Sequence, residues 1–404
     1  MSSRRTDGWL WLALLFAATG FVESMSFGHY LSFLPLLVRD LGVPQADVAA
    51  TVGLLATTAL LAGLPLVPFW GAWADRYNRK AIIVRSAVVE AVLFLLLSQV
   101  SQVWQVFLLV PLVGLVLGNT GVMLSEVTDR TPRVRLGFAI SIVGTAGPLG
   151  IALGPAFGGF LADRYGVQSL FLLDALLGML AVAILAVFYH ELADRPRTGL
   201  AVMTLVRRAL AAVVHTPLAR AVFAAYFFLL LGQRVVFPYL ALFVEAINGQ
   251  VMVATAVGLV AGAYGIAAAI GSPLAGRLGD RIGYRRVFST AIVVVAVCFL
   301  AASTVQALLP FAGVYALYGI GFATASSMLF TLLATGLPAE VRSSVLNLAL
   351  LPLYISGILG SLLSTQILIW TSGDLRLLWI LGACFVLVAL LPFAVASRRA
   401  PLVA

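Results

Sequence analysis

Twelve apolar stretches, each close to twenty residues long and separated by short polar connections, run through this chain. The hydrocarbon core of a bilayer is about 30 Å thick, and about 20 residues of α-helix rising 1.5 Å each are needed to cross it. The composition agrees with this reading: 62% of the 404 residues are hydrophobic, 10% are charged, and mean hydropathy is +1.08. Soluble domains carry about 25% charged residues and could not bury this much apolar surface. The predicted spans lie near 9–38, 48–70, 81–100, 104–124, 137–161 and 169–189, then 217–243, 254–275, 287–305, 310–333, 345–370 and 376–396. The first is too long for a 7–15-residue signal core and is kept as a helix. The expected fold is therefore an all-α membrane protein of twelve transmembrane helices.

The basic residues orient it. With both ends on one side, 21 of the 25 Lys and Arg residues fall in connections on that side and three on the other, with Arg234 inside a span. Such a bias predicts a multi-pass inner-membrane protein with both termini cytoplasmic. The net charge of +9 does not predict nucleic-acid binding, because the arginines are scattered between apolar spans and form no basic face. Cys298 and Cys384 each stand alone in an apolar run, so neither a disulfide framework nor a metal cluster is expected. The longest polar stretch, 190–216, lies at the midpoint and reads as a cytoplasmic linker between a first six-helix bundle (1–189) and a second (217–404). Its basic stretch around Arg207 and Arg208 predicts a short helix lying on the anionic leaflet.

An internal repeat supports that division. The connection after span two carries Gly71, Asp75, Arg76, Arg79 and Lys80; the one after span eight carries Gly276, Asp280 and Arg281 in the same order. The offset is 205 residues, about half the chain. These sequences resemble the signature loop G-x-x-x-D-R-x-x-R-[KR] of the major facilitator superfamily. The resemblance implies two pseudo-symmetric six-helix bundles around a central cavity that opens alternately to each side. It also implies that Asp75, with Arg76, Arg79 and Lys80, latches the cytoplasmic helix ends, and that Asp280 and Arg281 form a weaker equivalent.

A second match lies in span five, where Gly150, Gly154, Pro155, Gly158 and Gly159 resemble the G-x-x-x-G-P-x-x-G-G antiporter signature. Glycines four residues apart allow close helix approach, and Pro155 removes a helix hydrogen bond. The likeness is to the twelve-helix drug:proton antiporter branch. One departure stands out: span four has no Arg or Lys, whereas that branch uses an arginine there for proton transfer. Any coupling must then use another ionisable group.

Charges inside the bilayer cost at least about 2.5–3.5 kcal/mol, which makes each one a candidate. Glu23 lies 14 residues past Trp9, about 21 Å along the first helix and near mid-membrane. It is expected to carry protons or anchor substrate. Glu90, in span three, is a weaker proton-coupling candidate. It is five residues from Arg85, a spacing that does not share a helix face. Asp174, near the outer end of span six, is expected to partner another helix. Arg234, in span seven, lies 205 residues from His29, so the two are expected to face each other across the cavity and bind an anionic group or hold Glu23. The alternative is that Arg234 snorkels outward or pairs with Glu245. Remaining wall candidates are Phe27, Tyr30, Asn119, Tyr226, Gln233, Tyr315, Tyr318 and Ser326.

Three functions remain open. The first is a proton-driven exporter of drug-like or amphipathic molecules, favoured by the span-five sequence and Glu23. The second is a metabolite or lipid transporter working by uniport or symport. The third is a non-transporting membrane sensor. An enzyme is not expected, since no catalytic triad, metal-ligand spacing or phosphate loop is present and the chain has only three histidines. The expected partners are a small-molecule substrate and the bilayer. The chain is expected to act as a monomer without a cofactor, energised by the proton gradient.

Overall fold

The computed structural model describes residues 8–66, 69, 73, 78–116, 119–132, 135–191, 202–337, 345, 348 and 350–392. All regular structure among them is helical. The first six spans are Gly8–Asp40, Gln45–Leu66, Arg79–Leu97, Val103–Arg130, Leu136–Tyr165 and Val167–Phe188. The last six are Pro217–Asn248, Val253–Ile282, Tyr284–Thr304, Leu308–Gly336, Leu350–Trp370 and Leu375–Val388. Helix is the natural form here, because hydrocarbon offers the backbone no partner and a helix satisfies its own N–H and C=O groups. Large apolar side chains such as Leu61, Leu108, Phe157, Ile270 and Trp370 point outward, which suits lipid and would be a liability in water.

Several helices outrun their apolar stretches. Span four continues to Arg130 and span eight to Ile282. Gly276, Asp280 and Arg281, expected in a loop, therefore occupy the last turns of span eight, and the chain turns only at Gly283, where φ is +93°. Hydropathy marks where lipid ends, whereas the helix ends where a residue can leave helical φ/ψ, and glycine does so most readily. Gly71, Asp75 and Arg76 lie outside the described residues. Between the two sets of spans, Val202–His215 forms a helix rich in Val, Leu and Ala with its two arginines adjacent.

The pairing of helices repeats. Span one packs on five and six, and span three on six; span seven packs on eleven and twelve, and span nine on twelve. The two sets meet along two seams, spans five with eight and spans two with eleven. Both seams are built on glycine. On the first, a Cβ at Gly258 would lie 2.2 Å from the Pro155 carbonyl oxygen, and one at Gly159 would lie 2.3 Å from that of Ala254. On the second, a Cβ at Gly53 would overlap the Thr365 hydroxyl, and one at Gly63 would lie 2.6 Å from the Tyr354 ring. Lipid tails are as apolar as leucine, so close backbone approach and packing, rather than apolar burial, hold such helices together.

The arginine-poor end of the molecule is closed across these seams. Arg39 Nη1, at the end of span one, donates to Glu245 Oε1 in span seven at 2.7 Å. Asp163, at the end of span five, accepts from the Ala254 and Thr255 backbone N–H groups at 3.1 and 2.7 Å. It thereby caps the N-terminus of span eight with a negative charge. The arginine-rich end shows a different arrangement. Arg79 Nη1 bonds both Glu126 and Asp129 at 2.8 Å, and Arg130 Nε bonds Glu126 at 2.8 Å. Lys80 Nζ donates to the Ala186 carbonyl at 2.7 Å. Arg79 and Lys80, expected to latch the cytoplasmic ends, thus join spans three, four and six of the first bundle to one another. Asp280 accepts from the hydroxyl of Tyr284, one turn away, at 2.6 Å.

The seam makes a testable demand on side-chain size. Gly258→Leu drives a side chain into the Pro155 carbonyl, an overpacking that costs about 1–3 kcal/mol. It is expected to lower the melting temperature of the detergent-purified protein by several degrees. Gly144→Ala, where a Cβ meets nothing within 4 Å, is expected to leave it unchanged. Equal melting of the two variants contradicts the seam.

Candidate functional site

Span one organises the membrane interior because its two faces do different work. Successive helical residues are rotated by about 100°, so Glu23, Phe27, Tyr30, Leu31 and Leu34 share one face and Ser26 and His29 lie on another. The first face borders a small cleft of about 70 Å³ between the two bundles, with Phe27, Tyr30, Leu31 and Leu34 opposite Arg234, Phe237 and Ser361. Spans two and four close its sides through Leu60 and Val113. The walls are mainly apolar with few polar groups, the usual make-up of a small-molecule site.

Glu23 lies one turn from this cleft and is half-buried. Its Oε2 accepts from Asn119 Nδ2 of span four. The departure noted in span four thus has a structural counterpart, since the group that meets Glu23 there is a neutral amide. Asn119 itself is buried at 2% exposure.

The opposite face of span one holds a deeper polar group. His29 Nδ1 lies 2.9 and 3.0 Å from the two carboxylate oxygens of Asp174 in span six, and His29 Nε2 lies 2.8 Å from the Gly154 carbonyl in span five. That carbonyl can only accept, so Nε2 bears a hydrogen. A second proton is held between Nδ1 and Asp174, because a bare imidazole nitrogen and a carboxylate cannot bond each other. Exposures of 2% for His29 and 0% for Asp174 seal the pair from water. Glu90, at 3%, stands near Asp174 and Glu23 with Ser26 beside it, and its Oε1 has no partner.

The span-five glycines create this packing. A Cβ at Gly150 would strike the Phe21 carbonyl at 2.5 Å, one at Gly154 the Met25 carbonyl at 2.7 Å, and one at Gly158 the His29 ring at 2.4 Å. Pro155 gives no N–H to the carbonyl of Ile151, and Gly28 of span one lies against that oxygen, where its own Cβ would be 2.9 Å away. Gly150, Gly154 and Gly158 therefore face span one, while Gly159 and the Pro155 carbonyl face span eight and the Pro155 ring lies near Gly28 of span one.

Several expectations are revised by these positions. His29 does not face Arg234. The repeat offset matched the two in depth, but residues 29 and 30 point about 100° apart, so Tyr30 shares the cleft with Arg234. Glu245 is held by Arg39, which removes it as a partner for Arg234. Tyr315 is packed among Phe311, Tyr264 and Trp379 in the aromatic core of the last six spans and does not line the cleft. Tyr318 packs on Phe299 and Phe322, and Tyr226 on Phe330. Gln233 is half-buried beside Tyr264 and Tyr318, and Ser326 has a buried hydroxyl without a partner. Sequence reading missed Asp163, Glu126 and Asp129. Asp163 and Asp129 meet partners 50 to 92 residues away; Glu126 meets Arg79 at 47 residues and Arg130 one turn away, a local spacing that could have marked it.

Comparisons with known proteins fit this architecture. The model of the Major Facilitator Superfamily matches residues 16–252 and again 222–403. The multidrug resistance protein MdtG of Citrobacter koseri is 31% identical over 288 residues, covering 71% of this chain and 70% of that protein. MdtG of Salmonella typhi is 31% identical, with 71% of each chain covered. Among solved structures, the nucleoside transporter NupG superposes with a TM-score of 0.77 at 16% identity, over 96% of this chain and 99% of that one. A bacterial homolog of the human lysosomal transporter Spinster, inward-facing and occupied, gives 0.79 at 16% identity, with 98% of both chains covered. At such identities the two structures speak for the fold alone. Ten helices among the described residues that are long and apolar enough to cross a membrane, two glycine seams around a cleft and a family match running from residue 16 to residue 403 establish that the chain belongs to the Major Facilitator Superfamily and is a membrane transport protein, not an enzyme.

Proposed function

We propose that this protein is a proton-coupled exporter of amphipathic small molecules that works by alternating access. The observation that carries the coupling is the position of Glu23. It is an acid within a membrane span, half-buried, on the cleft face and held by a single neutral donor. Glu90 and Asp174 are acids too, but each is sealed from water. Glu23 alone of the three combines a bilayer position with access, which is what an exchanger needs in order to load and unload a proton. Asn119 can donate to the carboxylate and, by turning its amide, accept from the carboxylic acid. It therefore suits both protonation states without a fixed positive charge.

In this reading the arginine-rich end is cytoplasmic, and the structure is the state closed toward the outside. Opening outward separates Arg39 from Glu245 and Asp163 from the N-terminus of span eight, with the bundles rocking along the two seams. Glu23 takes a proton from outside in the open state and releases it after the closed state returns, when substrate enters from the cytoplasm. The MdtG relatives carry the printed description of multidrug resistance proteins, which supports an exporter of many apolar solutes. The mainly apolar cleft supports the same reading. Work as a monomer in an inner membrane belongs to the same proposal.

Two outcomes test it. In proteoliposomes, substrate flux is expected to rise with an imposed pH gradient, and Glu23→Gln is expected to cut the gradient-driven component by roughly tenfold or more while gradient-free counterflow persists. Gradient-driven flux of normal size in that variant removes Glu23 from the coupling. Arg39→Ala leaves the Glu245 carboxylate, at 8% exposure, without its cation and weakens the closed outer end. A cysteine placed at Ala254 is then expected to react several-fold faster with a membrane-impermeant maleimide; an unchanged rate rejects the outer latch.

A further inference from the structure

Span seven is broken where it borders the cleft. Its helix runs Pro217–Val236, a 3-10 turn covers Phe237–Tyr239, and a second helix begins at Leu240. The cause is Pro238, which has no N–H to offer the carbonyl of Arg234 four residues earlier. Span eleven presses against this break through Gly360, where a Cβ would lie 2.8 Å from the Arg234 Cβ and 3.1 Å from its carbonyl carbon. Non-helical backbone at membrane depth persists only where protein or an aqueous cavity covers it, and transporters place binding sites at such breaks.

The side chain at the break is Arg234, deep within its span, and it lines the cleft. Among the described residues it has no salt bridge. The ionisable side chains that bear most on it are Tyr226, Tyr318, Tyr264 and Tyr354, with no carboxylate among them. The guanidinium lies over the Phe237 ring at 6.0 Å, a stacking that holds its plane while leaving its edge free. Its Nε is buried without an acceptor. Three hydroxyls nearby share that condition: Tyr30 of span one and Ser361 of span eleven, both on the cleft, and Tyr354, which is near Arg234. Buried polar groups are nearly always paired. Here four unpaired donors from three helices gather around a guanidinium that has no salt bridge among the described residues.

We infer that the cleft around Arg234 is an anion-binding subsite, and that the transported solute is an amphipathic organic anion. Its carboxylate, sulfonate or phosphate bonds the Arg234 guanidinium with Tyr30 and Ser361, and its apolar body lies against Phe27, Leu31 and Leu34. A planar guanidinium donates two parallel N–H bonds to two oxygens of one anion, so it reads an anionic head rather than a hydroxyl. This inference rests on the reading of the protein as an exporter, but it names the substrate class that the reading left open.

The test is equilibrium binding to the purified full chain in nanodiscs, with no gradient present. Tritiated naphthalene-2-acetate is displaced by its unlabelled form, by the neutral naphthalene-2-acetamide and by 2-(naphthyl)ethyl-trimethylammonium. The acetate is expected to bind about tenfold or more tightly than the amide, and the cation more weakly still. Arg234→Gln is expected to abolish the preference for acetate while retaining the amide's affinity, and Arg234→Lys to restore part of it. Ser361→Ala, a small change that leaves the charge, is expected to reduce the preference by several-fold. Retention of the amide's affinity shows that Arg234→Gln is folded. Phosphatidylglycerol in place of phosphatidylcholine distinguishes sources: competition with the acetate identifies a lipid phosphate as a second occupant of the same site, and its absence identifies a soluble anion as the sole one. Equal binding of acetate and amide to the parent protein, or an acetate preference surviving in Arg234→Gln, overturns the inference. Absence of gradient-driven flux with the anion preference intact defeats the exporter reading instead.

Discussion

Helices in hydrocarbon gain little from hiding apolar side chains, so this fold depends on how closely backbones can approach. Span five is where that constraint is met most fully. Its glycines at 150, 154 and 158 admit span one on one side, and Gly159 with Gly258 admits span eight on the other. The same helix thus belongs to one bundle and forms the contact with the second. The two bundles can remain in register at one end only because no side chain intervenes along that line.

Polar groups are placed with the same economy. Charges at the two ends pair or cap helices, as Arg39 with Glu245 and Asp163 with span eight do. Within the bilayer there are two different kinds of charge. His29 with Asp174 is sealed and mutually satisfied, which suits a structural pair. Glu23 and Arg234 face the cleft and have neutral partners or none, which suits groups that change partners during a cycle. A buried charge left without a counter-charge is costly, so its persistence points to an occupant that comes and goes.

Much of this was legible in the sequence. Span number followed from hydropathy, and the close approach of span five from its glycine spacing. Glu23 and Arg234 stood out as charges where charges are expensive. The rest depended on information a single chain does not display. An offset of 205 residues gives depth but not rotation, which is why Tyr30 and not His29 shares the cleft with Arg234. Helix ends at Arg130 and Ile282 lay beyond the apolar limits because the helix continues into water. Asp163 and Asp129 find their partners only after distant spans are folded together, and Tyr315 differs from a wall aromatic only in the rings that surround it.

The hydrogen bond from His29 to the Gly154 carbonyl has a mechanical consequence. It rivets span five to spans one and six, whereas the opposite side of the same helix meets span eight through glycines and alanines, as in a plain bearing, with Asp163 bonding only at the end. In the alternating-access reading proposed above, shear between the bundles falls on the greased side, and span five travels with the first bundle, taking Asp163 with it. In that reading, a helix fastened on one side converts a small rotation at mid-membrane into the release of Asp163, about 14 Å away along its axis, from the start of span eight. The rivet sets which parts of the molecule count as one rigid lever.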